Sequence, residues 1–465
     1  MAHVTLWFDC EDYITPLSDA AALWMAHLCT DLGIPATFKM VAQKVRVLQR
    51  RGRQDVLRAL RRHDIGYHTD SHSRHPTVAE YLEGKGWEEG VGEFIRREGQ
   101  GLEDVKAAFG KPICCYGQPG GSWAPQVYGA LLKWGVPLYL DEGGNVGLDA
   151  APFWFCNVLN VFGLQENVCR FNHGDPDDLP RAKQRVADIN ERLEKQGGGL
   201  ISIYYHPCEF STARFWDGAN FAHGQNTDPQ DYVIPPLLVP ADTERRLWQM
   251  REWLSFIKAL PNAKFVDGTS LGRLYPDDLR GRKLSAQAVR EVAAATAEQI
   301  NFAAVEGGFL SPAECFALLT RAIAPTARRA QAVFPLAVRS PLGPFEQPPP
   351  LAQPFSCRFG ALVTACNEAQ RHVSAKGALP SAVALAGQQV GPAELLQAAA
   401  RTLLRPSPPE SIQVEPATVA TEKHVAPEDA DLWGWVIFPP GFRAPQLQRL
   451  ARLQAWTLKP ATLRG

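Results

Sequence analysis

Two short segments near the start of the chain carry the residue types that hydrolytic chemistry needs. Asp9-Cys10-Glu11-Asp12 ends the apolar run Val4-Thr5-Leu6-Trp7-Phe8, and His68-Thr69-Asp70-Ser71-His72 follows Ile65-Gly66-Tyr67. Carboxylates and imidazoles together form the ligand set of a mononuclear metal site that activates water. If the second segment is helical, His68 and His72 share one face, four residues apart, and both reach one ion. On a strand, Asp9 and Glu11 point to one side and Asp12 to the other. That parity lets one carboxylate hold the ion while its neighbour moves a proton. His75, three residues beyond His72, offers a competing ligand pair.

A third segment, Leu200-Ile201-Ser202-Ile203-Tyr204-Tyr205-His206-Pro207, is an apolar strand that ends in a histidine, with Cys208 and Glu209 beside it. The three segments in this order resemble a divergent branch of the polysaccharide deacetylase superfamily (NodB homology, carbohydrate esterase family 4-like), across residues 1 to 275. The resemblance implies a distorted (β/α) barrel with a divalent metal at its mouth, zinc being the expected ion, and hydrolysis of an amide or ester. It assigns Glu11, His68 and His72 to the ion, with Asp12 as the alternative acidic ligand. Asp9 would take a proton from water and His206 would give one to the departing nitrogen. Asp141 would set a histidine's tautomer. Gln118, Trp123 and Tyr204 are expected to touch substrate, and Trp216 is a further aromatic candidate. Two departures stand out. The acidic pair is spread over Asp9 to Asp12, and the third motif, Tyr116-Gly117-Gln118-Pro119-Gly120-Gly121-Ser122-Trp123, lacks the arginine that supports the catalytic aspartate in the family. Gln118 can hydrogen-bond there but brings no charge.

The elements that must position these residues alternate between strand-like and helix-like as far as residue 275. Strands are expected at 4–8, 36–40, 113–116, 136–141, 199–206 and 263–267, with a hairpin over 153–171. Helices are expected near 17–32, 43–62, 125–134, 178–196 and 242–259. Such β-then-α order predicts an α/β fold built on a parallel sheet or barrel. Asp9, His68, Asp141 and His206 then fall at the carboxyl ends of strands, where such barrels keep their catalytic groups.

Residues 1–280 are therefore expected to form the catalytic barrel, and 283–465 a mainly helical accessory region. The latter is interrupted by Ser340-Pro341-Leu342-Gly343-Pro344, Pro348-Pro349-Pro350 and Pro406-Ser407-Pro408-Pro409, which read as stiff linkers. Within it, Phe309 to Phe316 recurs as Gln389 to Leu396, each with a proline at a helix start and a glutamate behind it. The stretch from Leu379 to Leu404 also resembles cell-wall-binding repeats of the pseudomurein type.

Composition narrows the partners. A net charge of −1 without long charge blocks argues against nucleic acid. No apolar run approaches the ~20 residues that span a membrane. Met1-Ala2-His3 leads straight into the first strand, without a basic and apolar leader, so a cytoplasmic location is expected. The ten cysteines, with no CxxC pair, read as buried reduced thiols. Three functions fit. The first is a metal-dependent hydrolase of carbon–nitrogen bonds that deacetylates an N-acetylated sugar or related metabolite. The second is an allantoinase-like ureide or cyclic-imide amidohydrolase, with or without metal. The third is a non-catalytic carbohydrate-binding protein, against which the retained acidic and histidine residues argue. The partner is a carbohydrate or small amide, with homo-oligomerisation left open.

Overall fold

A computed structural model describes residues 1–141, 143–324 and 334–464. Its hub is β1 (Ala2–Cys10), buried along its whole length. One edge of β1 pairs in parallel with β8 (Gly199–Tyr205). The other edge is shared: Ala2 to Thr5 pair with β9 (Ala263–Val266), and Trp7 to Cys10 pair with β2 (Thr37–Met40). From β2 the parallel ladder continues through β3 (Asp64–Tyr67), β4 (Cys115–Tyr116), β5 (Leu138–Leu140) and β7 (Val158–Val161). The antiparallel β6 (Phe153–Phe155) follows at the far side. Near-continuous apolar strands of this kind fold where helices cover the sheet.

The covering helices are α1 (Pro16–Asp31), α2 (Ala42–Arg50), α3 (Gln54–Leu60), α4 (Val78–Leu82), α5 (Trp87–Phe109), α6 (Gln126–Trp134), α7 (Asp178–Lys195) and α8 (Pro240–Ala259). The single helix expected over 43–62 is thus two, α2 and α3, broken between Arg50 and Gln54. The barrel is also more open than expected. Among the described residues, β8 meets the segment after β7 only at one parallel bridge, Val168 to Ser202, so the sheet curls without a full closing ladder. All ten cysteines are buried free thiols.

The C-terminal repeat extends beyond the two segments legible in sequence. The hairpin Ala303–Val305/Gly308–Leu310 leads into helix Pro312–Ile323, and the hairpin Val383–Leu385/Gln388–Val390 leads into helix Pro392–Leu403. Corresponding elements are offset by a constant 80 residues (303 to 383, 308 to 388, 312 to 392). Each hairpin turns through two left-handed residues, Glu306-Gly307 and Ala386-Gly387. Helices Ala286–Glu298 and Phe359–Lys376 complete the two units, and both share a core separate from that of the sheet.

The expected boundary at 280 needs correction. Val425, Trp433, Ile437, Phe438, Leu447, Ala451 and Leu458 all join the sheet's core rather than that of the repeats. Lys459–Pro460 pair antiparallel with β6. The first proline-rich segment is not a free linker either, since Phe345 stacks flat on Trp87 at 5.3 Å. The repeats are therefore an insertion between the bulk of the sheet domain and its last segment. A chain ending at residue 280 should lose solubility and cooperative unfolding. In the full chain, Leu447→Ala should cost about 2–5 kcal/mol in a denaturant titration. A soluble 1–280 chain with a sharp melt would show the last segment to be dispensable.

Candidate active site

The carboxyl ends of the parallel strands converge on one cavity of about 450 Å3, which receives Asp9, Glu11, His68, Gln118, Asp141 and His206 from five strand ends, and Arg170, Tyr204 and Glu209 beside them. The segment after β3 is not the helix that the i, i+4 spacing suggested. Thr69 and His72 are both left-handed, at φ 69° and 56°. The turn lets the carbonyls of Thr69 and Asp70 accept from the amides of Ala42 and Gln43 at the start of α2. The two imidazoles still meet, with ring centroids 5.0 Å apart.

Hydrogen bonds fix which nitrogen each ring turns inward. His68 Nδ1 lies 3.0 Å from the Gly117 carbonyl, which can only accept, so this nitrogen carries the proton. His72 Nδ1 is 2.6 Å from Ser73 Oγ, whose own hydroxyl donates to Asp217 Oδ2. Both Nε2 lone pairs therefore face Glu11 Oε2, at 3.2 Å from His68 and 2.8 Å from His72. Glu11 is held in turn by Trp216, whose indole N–H donates to Oε1 at 2.7 Å. Lone pairs brought this close require a positive charge between them. Without a metal, the charge is a proton. Burial opposes the His72 imidazolium, but the Glu11 carboxylate raises its pKa. Burial likewise opposes the Glu11 charge, yet His72, His206 and the His68 hydrogen bond hold its pKa well below the usual range. Glu11, His68 and His72 form a three-donor group able to hold a metal ion, and their hydrogen-bonded outer nitrogens fit that role.

Asp9 faces both ways. Its Oδ1 lies 3.0 Å from Lys39 Nζ, and its Oδ2 lies 3.6 Å from His206 Nε2 and 3.9 Å from His68 Nε2. Lys39 stands directly across from Asp9 in the β1–β2 register. It is fully buried, and it also donates to Leu140 O at 2.8 Å and Asp141 Oδ2 at 3.1 Å. A side chain at Gly117 would block it, since an added Cβ would sit 2.2 Å from Lys39 Nζ. His206 Nδ1 contacts Glu209 Oε1 at 3.2 Å. Arg170 (2.8 and 2.9 Å) and His173 (2.9 Å) grip Glu209. Burial alone would push the His206 pKa down, but the charges of Glu11, Glu209 and Asp9 outweigh it and hold it up at about 9.

Several expectations are revised by this geometry. Asp12 lies outside the donor groups. Its Oδ1 accepts from the amides of Ile14 (3.0 Å) and Thr15 (2.9 Å) and turns the chain into α1. Asp141 pairs with Lys39, while the histidines take their orientation from Gly117, Ser73 and Glu209. Trp123 is fully buried against Tyr128 and does not line the cavity. Trp216 is also buried and serves Glu11. His75 pairs with Glu80 at 2.7 Å. Gln118 and Tyr204 do line the cavity, Tyr204 stacked on Trp7 at 4.8 Å. The sequence reading passed over Trp7, Lys39, Arg170, Asp217, Phe215 and Trp435. A usable signal existed for Lys39, a lone charge inside the strand Thr37-Phe38-Lys39-Met40.

No protein-family model and no curated protein matches the chain. The solved structures it resembles are polysaccharide deacetylases and carbohydrate esterase family 4 members. A family 4 acetyl xylan esterase from Clostridium thermocellum, in complex with a cobalt ion, is 14% identical with a TM-score of 0.31, covering 58% of this chain and 91% of that one. An allantoinase is 12% identical with a TM-score of 0.38, covering 58% and 89%. A family 4 pseudoenzyme from Bacillus anthracis is 11% identical with a TM-score of 0.31, covering 58% and 64%. These are distant likenesses, and the chemistry assigned below stands on the geometry of the site.

In the metal-free protein, the His206 imidazolium persists below its raised pKa and is lost as pH rises through about 9. Glu209→Gln removes one of the charges that sustain it. Ring-proton NMR should show that titration at lower pH in the variant, and an unmoved midpoint would show that Glu209 does not tune His206.

Proposed function

We propose that the chain is a metal-dependent hydrolase of a carbon–nitrogen amide bond, which deacetylates an N-acetylated sugar or a related small metabolite. The observation that carries this reading is the placement of Asp9 and His206 beside the Glu11, His68 and His72 donors in one cavity. A divalent cation on those three residues, zinc being the expected ion, would polarise the scissile carbonyl and make water a better nucleophile.

The protein's own groups supply the proton transfers. Asp9 Oδ2 points into the cavity, while Oδ1 is anchored by Lys39, so the free oxygen accepts a proton from the attacking water. Addition to the carbonyl gives a tetrahedral carbon. His206, whose Nε2 lies 3.6 Å from Asp9 Oδ2 at the cavity, would donate its Nε2 proton to the nitrogen as the C–N bond breaks, so an amine departs rather than an amide anion. Glu209, fixed by Arg170 and His173, keeps that imidazole aimed inward. Lys39 supplies, from β2, the positive charge that the third motif lacks.

The allantoinase-like reading is favoured by one feature, the aromatic side chains Phe215 and Trp435 at the cavity. Set edge to face, they give the site an apolar corner that suits a small ring as well as a sugar. Turnover of N-acetylated sugars against cyclic ureides by zinc-loaded protein distinguishes the two. Asp9→Asn or His206→Ala should lower turnover by about 10²- to 10⁴-fold while metal content is retained. Lys39→Met should lower kcat by at least about 10-fold at unchanged metal content. Near-normal rates in Asp9→Asn would move the base to another carboxylate. Inactivity of the metal-loaded wild type on every amide and ureide would leave the binding-protein reading.

A further inference from the structure

Asp217 lies two hydrogen bonds behind a histidine of the candidate metal site and is fully buried. Its Oδ2 accepts from two donors, Ser73 Oγ at 3.2 Å and the indole N–H of Trp435 at 2.8 Å. Ser73 Oγ is in turn 2.6 Å from His72 Nδ1. A continuous series of bonds therefore runs from Trp435 through Asp217 and Ser73 to His72, whose Nε2 faces Glu11.

Trp435 belongs to the last segment of the chain, which reaches the cavity from beyond the repeats. Its backbone is clamped there, with the amides of His223 and Gly224 donating to the carbonyls of Val436 (2.9 Å) and Ile437 (2.8 Å). Phe215 meets the indole edge-on at 5.3 Å. Beneath it lies Gly120, where an added Cβ would come within 2.9 Å of Ile437 and 3.1 Å of Trp435. The indole, two-fifths exposed, is held by Phe215, Gly120 and its bond to Asp217, and a held donor favours one orientation of that carboxylate.

We propose that Trp435 is a positioning residue for the metal site, acting through Asp217 and Ser73 on His72. The inference rests on the metal-site reading above. A ligating imidazole binds well only when its outer N–H is held and its ring plane set. Ser73 accepts from His72 with its own proton turned away to Asp217. Trp435, bonded to the same Oδ2, helps keep that oxygen turned toward Ser73. The last segment of the chain thereby becomes part of the metal centre without touching the ion.

The test is Zn2+ affinity of the full-length protein, measured by competition with a chelating dye, for the wild type, Trp435→Phe, Asp217→Asn and Ser73→Ala. Each variant should bind Zn2+ about 10- to 100-fold more weakly. The Trp435→Phe/Asp217→Asn double variant should be no weaker than Asp217→Asn alone, because both act along one path. Trp435→Phe keeps an aromatic ring in place, and Ser73→Ala reports on the path should Asp217→Asn fail to fold. Wild-type affinity in Trp435→Phe, or fully additive losses in the double variant, overturns the inference and leaves the metal site standing. A wild-type protein that binds no Zn2+ overturns both.

Discussion

The structure is organised around an unfavourable arrangement that it must neutralise: two imidazole lone pairs and a buried carboxylate aimed at one point. Glu11 Oε2 lies within 3.2 Å of both His68 Nε2 and His72 Nε2, in a region with almost no water contact. A buried charge is tolerated only when it is paired and hydrogen-bonded. The cluster therefore selects for a cation, and each surrounding group keeps the three donors aimed inward. Gly117 and Ser73 hold the outer nitrogens, and Trp216 holds the far oxygen of Glu11. β1, buried throughout and paired on both edges, carries Asp9 and Glu11 to that point from its carboxyl end.

Around this centre the charges are arranged in layers. Lys39 lies between Asp9 and Asp141, with its stem inside the sheet and its ammonium spent on acceptors. Losing one member of such a buried group leaves its partner uncompensated, typically at a cost of about 3–5 kcal/mol. On the other side, Arg170 pairs with Glu209 and His173 hydrogen-bonds it, which fixes that carboxylate against His206. The two sides give opposite tasks to two neighbouring groups. Asp9 has one oxygen on Lys39 and the other toward His206, whose imidazolium the neighbouring carboxylates favour in the metal-free protein. Under the proposed reading, separating acid from base by environment in this way would let one cavity carry both proton transfers of a hydrolysis.

Much of this was legible in the chain because the relevant signals are local. An apolar strand that ends in a functional group, as at Asp9 and His206, reports its own rim position, and most sheet elements on the path from β1 to β9 fall within a few residues of where periodicity puts them. The histidine pair was read correctly as a pair but with the wrong local structure, since spacing of four also fits a turn with two left-handed residues. What the sequence hid was set by distant packing. α5 carries Gly90, Gly92, Gly99 and Gly101, which weaken helix propensity, and it is fixed instead by burial of Trp87, Val91, Phe94 and Leu102. Trp435 falls within the expected accessory region, and only the fold brings it to the cavity. Asp12 and Trp123 carry the same residue types as functional groups, and only the direction of their side chains assigns them to a turn and to the core.

The central claim is that Glu11, His68 and His72 together bind one divalent ion. Anomalous diffraction from crystals of the full chain grown with Zn2+, recorded on both sides of the zinc edge, tests it most directly. The account predicts a single strong peak about 2.0–2.2 Å from Glu11 Oε2 and both Nε2 atoms. A peak held by other side chains, or none within bonding reach of His68 and His72 in zinc-replete crystals, would contradict it.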